Sequence, residues 1–180
     1  GGASWNETAK LVASDAAKND FFGVSVAVSG DLVVVGAYGS DADAGDFSGS
    51  AYVFRTTNGG ASWNETAKLV ASDAAKDDYF GSSVAVSGDL VVVGAWGNDA
   101  ADTDSGSAYV FRTTNDGTSW NETAKLVASD AAKDNFFGGS VAVSGDLVVV
   151  GANDGNGHAG DFSGSAYVFR TTNDGTSWNE

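Results

Sequence analysis

Apolar positions along this chain fall into short blocks separated by polar, glycine-bearing stretches. Ser25 to Val28 alternates small and branched residues, Leu32-Val33-Val34-Val35 is continuously apolar, and Tyr52 and Phe54 alternate with Ala51 and Val53. A short apolar run bounded by Gly and Asp reads as a strand covered on both faces. Ser29-Gly30-Asp31 between the first two blocks is the signal of a tight hairpin, Gly supplying a positive φ. Gly36-Ala37 lets backbones approach closely. Ser50 to Thr57 is the third strand, Asn58-Gly59-Gly60 a turn, and Trp63 to about Val70 the fourth strand.

That fourth segment is two-sided. ETAKLVASDAAK has good intrinsic helix propensity. It also follows a turn directly, in a unit whose other elements are strands, and context overrides propensity. The reading here is strand followed by loop.

The whole pattern is written three times. Trp5, Trp63, Trp120 and Trp178 are spaced by 58, 57 and 58 residues; ETAKLVASDAAK recurs unchanged at 7–18, 65–76 and 122–133, and SGSAYVFRTTN at 48–58, 105–115 and 163–173. Differences gather beside the Phe-Gly pair and in the loop after Gly-Ala: YGSDADAGDF, WGNDAADTDS and NDGNGHAGDF. A fixed frame with varied loops is expected where strands carry packing and loops meet solvent. A leaf of four strands with two apolar faces buries neither alone, so the sequence supplies copies. The expected fold class is all-β: β-propeller blades, three four-stranded antiparallel repeats of about 58 residues, forming one repeat domain over 1–180. Its units run over approximately 14–71, 72–128 and 129–180, preceded by a leading outer strand at 3–13.

Phe22-Gly23-x-Ser25-Val26-Ala27-Val28, then Leu32-Val33-Val34-Val35-Gly36-Ala37, then Gly49-Ser50-Ala51-Tyr52-Val53-Phe54 resembles the FG-GAP repeat. The likeness spans all three units, and Trp-x-x-x-x-Lys-Leu with Ala-Ser-Asp is similar to the bacterial-type subfamily. It implies the kind of propeller that integrin α subunits and many bacterial and algal surface proteins build. The chain departs from the integrin pattern in one functional respect. The first hairpin has only Ser29-Gly30-Asp31, Ser87-Gly88-Asp89 or Ser144-Gly145-Asp146, too short for the six to eight oxygens a calcium ion takes. The family's calcium role is therefore not carried over and no cofactor is expected. Tyr38, Trp96 and Asn153 replace the Pro of the GAP motif.

Propellers typically close with about four to eight blades, and three are too few. The opening GGASWNE is mid-repeat sequence, as in a piece of something longer. Two completions are expected: adjacent repeats of a longer chain, or a homodimer in which one chain's leading strand completes the other's last blade, giving six.

Composition narrows the partners. The net charge is −15 with no compensating Lys/Arg cluster, which disfavours nucleic acid and anionic membranes as partners. With no Cys there is no disulfide, thiolate metal site or thiol nucleophile. No Ser-His-Asp set, phosphate loop or zinc spacing occurs. His158, the single histidine, has no counterpart in the other units.

The candidate sites are few. Asp41, Asp43 and Asp46, then Asp99, Asp102 and Asp104, with Asp154 and Asp161 in the last copy, are read first as solvated acidic loops. As a second reading they hold a hard cation such as calcium, which the usual loop motif does not support, or, with Trp96 as an exposed aromatic, a carbohydrate with or without that cation. Asn6, Asn64 and Asn121 each open an Asn-Glu-Thr sequon on the expected outermost strand, glycan acceptors if the source is a secreting eukaryote. Asp15, Asp73 and Asp130 are expected to accept backbone hydrogen bonds in the connections between units. The function expected is a non-enzymatic, extracellular or cell-surface structural or adhesive scaffold, its partners being itself, adjacent repeats, or surface glycans and proteins. The alternative is a lectin-like module.

Overall fold

The computed structural model describes residues 4, 6–41, 44–154, 163–171 and 177–180. Among them are eleven strands: β1 Val26–Ser29, β2 Leu32–Ala37, β3 Ser50–Arg55, β4 Asn64–Leu69, β5 Ser83–Ser87, β6 Leu90–Ala95, β7 Ser107–Arg112, β8 Asn121–Leu126, β9 Phe137–Ser144, β10 Leu147–Ala152 and β11 Ser165–Arg170. They form antiparallel sheets in the orders β1-β2-β3-β4, β5-β6-β7-β8 and β11-β10-β9. In the third sheet, the single bridge Arg170–Asn179 marks where a fourth strand starts.

Local sequence accounts for these elements. Ser29 pairs with Leu32 across a two-residue loop in which Gly30 has φ 56°, the left-handed first position that a two-residue hairpin loop uses. The contested ETAKLV segment is strand at β4 and β8, each antiparallel to the strand before it. Both carry a bulge opposite Val53/Phe54 and Val110/Phe111, leaving Thr66 and Thr123 as the extra residues, and their hydroxyls donate to the Val53 and Val110 carbonyls. The first copy behaves differently. The leading strand expected at 3–13 does not form among its described residues, for no edge like β3 stands beside it to pair with.

Every sheet has a leading face toward the preceding unit and a trailing face toward the next. Val34, Ala51, Val53 and Leu69 on the trailing face of sheet one meet Phe80, Val84, Val91, Val93, Tyr109 and Phe111 on the leading face of sheet two. The second interface repeats this: Val92, Ala108, Val110 and Leu126 against Phe137, Val148, Val150, Tyr167 and Phe169. The middle sheet is covered on both sides, so Val91, Val92 and Val93 are all fully buried. In the third sheet β11 alternates, Tyr167 and Phe169 buried toward sheet two, Ala166 and Val168 exposed on the other side.

Each interface turns on a Phe-Gly pair. Phe80 is fully buried, edge-on to Tyr109 (5.5 Å) and Phe111 (5.9 Å) of its own sheet, while Gly49 bridges to it from sheet one. The amides of Tyr79 and Phe80 donate to the Phe47 and Ser48 carbonyls, as those of Phe136 and Phe137 do to Asp104 and Ser105. The backbones lie so close that a Cβ on Gly36 or Gly94 falls about 2 Å from the carbonyl oxygen of Gly81 or Gly138, at 1.9 and 2.0 Å.

Candidate functional site

The β2–β3 loop and its counterpart between β6 and β7, where the copies differ, touch the connections that follow them: the amides of Asp77 and Asp134 donate to the Asp46 and Thr103 carbonyls. An aromatic residue precedes each Phe-Gly pair in a left-handed backbone: Phe21 (φ 54°), Tyr79 (φ 56°) and Phe136 (φ 51°). Bulky side chains rarely adopt this conformation, so the surroundings must hold it. At Tyr79 and Phe136 the backbone amide is tied to the preceding unit, to the Phe47 and Asp104 carbonyls, and at Phe21 and Tyr79 a stacked ring covers the side chain. Phe21 lies on Tyr38 at 5.0 Å and 11°, and Tyr79 on Trp96 at 4.3 Å and 7°. Tyr38 and Trp96, which stand where the GAP motif has Pro, then meet the next unit's aromatic edge-on, Tyr38 with Tyr79 (5.9 Å) and Trp96 with Phe136 (5.3 Å). The result is a ladder, Phe21–Tyr38–Tyr79–Trp96–Phe136, across three units. Trp96 is thus a half-buried rung, stacked on Tyr79 and in an edge contact with Phe136. Trp96→Ala is expected to cost about 2 kcal/mol, from lost burial and stacking; chemical denaturation with unchanged stability would show the ladder to be incidental.

The acidic loop residues sit around this ladder. Asp41, Asp46, Asp99 and Asp102 are exposed, and Asp104 is half-buried with φ 51°. Asp41 and Asp99 accept the amides of Phe47 (3.4 Å) and Asp104 (2.8 Å) of their own loops, and Asp102 accepts that of Thr103 at 2.8 Å. Burial, then the charges of Asp99 and Asp134, push the Asp104 carboxyl above its ordinary range. Among the described residues no three carboxylates and imidazoles gather closely enough to hold a metal ion. Asp43, Asp161, His158 and Trp5 lie outside the described residues.

Beneath the loops is a polar layer. Asp78 is buried; its Oδ2 accepts the amide of Ala75 (2.8 Å) and Nδ2 of Asn98 (3.1 Å), and Asn98 Oδ1 accepts the Ser107 hydroxyl (2.8 Å). Burial pushes the Asp78 carboxyl up despite these donors.

The connections carry a motif that sequence reasoning saw only in part: Asp15 and Asp73 each take a backbone hydrogen bond, but their main partners are side chains. The Asp15 carboxylate accepts the Tyr52 hydroxyl at 2.8 Å and the Lys68 ammonium at 2.6 Å. Asp73 does the same with Tyr109 (2.8 Å) and Lys125 (2.6 Å), and Asp130 with Tyr167 (2.7 Å). Beside them Glu65 takes the amide and hydroxyl of Ser14, both at 2.8 Å, as Glu122 does those of Ser72 and Glu180 those of Ser129. Each connection is thereby clamped to the third and fourth strands of the unit it enters. The only advance signal was that Asp, Tyr, Lys, Ser and Glu never vary between copies; nothing local said they meet.

The Lys68 hydrogen bond holds the Asp15 carboxyl below the usual range. Burial raises that of Asp73, but Lys125 and Tyr109 outweigh it and the net direction is down. Burial, then Asp130, push the Tyr167 phenol up to about 12, so it stays a donor. The signs oppose those in the polar layer. Asp15 and Asp73 stabilise the fold above the ordinary carboxylate pKa of about 4, and this is lost as pH falls through their lowered values. Asp78 and Asp104, with raised folded values, stabilise the fold on their protonated side, and that contribution is lost as pH rises through those values. The melting temperature is therefore expected to climb on going from pH 7 to weakly acid pH and to collapse below about pH 4. Asp78→Asn, which keeps an acceptor and a neutral side chain, should raise stability at pH 7 and flatten the climb; a pH-melting series in which it does neither removes Asp78 from the account.

Asn6, Asn64 and Asn121 are exposed, the latter two as first residues of β4 and β8. The described residues contain no helix long and apolar enough to cross a membrane.

Antiparallel four-stranded leaves stacked face to face, each seated on its neighbour through a buried aromatic-glycine pair, define a β-propeller-type repeat protein. The FG-GAP repeat profile matches residues 5–54, 63–111 and 120–169, and the chain belongs to that family. A search of curated proteins found no match. Among solved structures, the crystal structure of Saccharomyces cerevisiae Sqt1 is similar in fold, with a TM-score of 0.53 at 11% identity over 90% of this chain. This chain spans 35% of that one.

Proposed function

We propose that this chain is a non-catalytic, extracellular or cell-surface interaction scaffold that presents acidic loops to a binding partner. The observation that carries this reading is the division of labour between frame and loops. Strands and Phe-Gly seats are near-identical in sequence in every unit, whereas the varied loops β2–β3 and β6–β7 leave Asp41, Asp46, Asp99 and Asp102 exposed. FG-GAP repeats, the family shown here, generally lack catalysis, and they are typically extracellular. Beads coated with the chain should be retained on a cell layer in a salt-sensitive way, and lose that retention when Asp41, Asp46, Asp99 and Asp102 are all changed to Asn. Retention indifferent to those four changes would sink the reading.

The sequons fit the same location. Asn64 and Asn121 head outermost strands, where a glycan meets solvent and covers a sheet edge. Expression in a secreting eukaryotic cell should give a mass excess that a glycosidase removes.

A further inference from the structure

We infer that the two end faces of this chain are halves of one interface, and that two copies close through it into a six-bladed ring. The inference is independent of any ligand at the loops. Its basis is that the chain makes the same interface twice internally and leaves the matching halves open at both ends.

The trailing half is on sheet three. Ala51 and Val53, and Ala108 and Val110, are fully buried under the next unit; their counterparts Ala166 and Val168 are exposed, Val168 at 51%. Beside them a groove of about 740 Å³ is lined by Trp96, Phe136, Gly151, Ala152, Gly164 and Ser165. The last four correspond to Gly36, Ala37, Gly49 and Ser50, the residues that seat Phe80 and Gly81 in the first interface. The groove is an unfilled Phe-Gly seat.

The leading half is on sheet one. Phe22 corresponds to the fully buried Phe80 and Phe137 and already stands edge-on to Tyr52 and Phe54, but no unit covers its other side and it is only half-buried. Val26 and Val28 are 65% and 69% exposed, whereas Val84, the counterpart of Val26, is 7% exposed and Val86, the counterpart of Val28, is half-buried.

Charge fits the same occupant. Asp130 has its tyrosine, Tyr167, but lacks the lysine that Asp15 and Asp73 hold at 2.6 Å. Lys10 is the register equivalent of Lys68 and Lys125, lies in the segment that found no sheet, and makes no ion pair among the described residues. Laid beside β11 after the Arg170–Asn179 bridge, Thr8 to Leu11 of a second copy continues the fourth strand and brings Lys10 to Asp130. Two copies give six blades, inside the usual range of about four to eight, and three give nine, outside it.

The test is solution mass. Light scattering should give twice 18.1 kDa, and Val168→Asp and Val26→Asp should each return the chain to 18.1 kDa with strand circular dichroism retained. The loop control Ala100→Asp should stay dimeric. Both face positions are exposed in the single chain, so either variant serves if the other fails to fold. Lys10→Glu should weaken the dimer at least tenfold. A monomeric wild type at tens of micromolar overturns the inference; so does a dimer that survives both face variants, and so do open-ended higher assemblies, which would mean the halves meet without closing.

Discussion

Phe137→Ala is expected to lower the free energy of unfolding by about 3–5 kcal/mol. Phe137 is fully buried and touches both sides of the second interface, edge-on to Tyr167 (5.4 Å) and Phe169 (6.0 Å) while Gly106 bridges to its backbone. Truncation leaves a cavity at a junction, where neither sheet can collapse without giving up strand pairing. Phe22→Ala is the internal comparison, because the same side chain there is half-exposed in the single chain. Denaturant titrations at low protein concentration should show Phe22→Ala costing well under half as much. Equal costs would mean that Phe137 stabilises its own sheet and contributes little to the junction.

The second large effect belongs to a glycine. In Gly106→Ala the new Cβ would fall 2.0 Å from the Phe137 carbonyl oxygen and 2.5 Å from its amide nitrogen, at a residue with φ +83°. Both obstacles are backbone, so no rotamer change relieves them, and the left-handed conformation adds its own penalty. Together they should cost about 4 kcal/mol. Gly88→Ala separates the two causes, since Gly88 has φ +58° with nothing within 4 Å. It should cost only about 1–2 kcal/mol. If Gly106→Ala is no worse than Gly88→Ala in the same titration, close approach of backbones is not what joins the units.

What could be read ahead of the structure was whatever depends on near neighbours or on copying. Ser29-Gly30-Asp31 announces its hairpin because a two-residue turn leaves little choice. The Val33-Val34-Val35 run announces a strand apolar on both faces, but cover on both is realised only in its middle copy, Val91-Val92-Val93; Val33 itself is half-buried because no unit precedes it among the described residues. ETAKLV was legible only through its unit, since propensity alone favoured helix and pairing with β3 or β7 decided for strand. The copy at 7–12 proves the point: the same residues, without such an edge, form no strand. The clamps were not legible, because Asp15 meets partners 37 and 53 residues away and nothing local selects Tyr52 and Lys68 over backbone amides. The partners of Trp96 were hidden for a related reason. Its position in a variable loop suggested exposure, yet its stacking partner Tyr79 stands before the Phe-Gly pair of the same unit and its edge partner Phe136 before that of the next. That those preceding positions are always aromatic was the available clue.

Because the seat and the aromatic that fills it are the same at both junctions, nothing in their chemistry records which unit belongs beside which. Correct order comes from the tether alone: a unit finds its covalent neighbour because the short linker keeps it at a high effective concentration. Crowded refolding should erode that advantage, letting seats capture strangers and yielding tangled, concentration-dependent misassembly, while dilution restores fidelity.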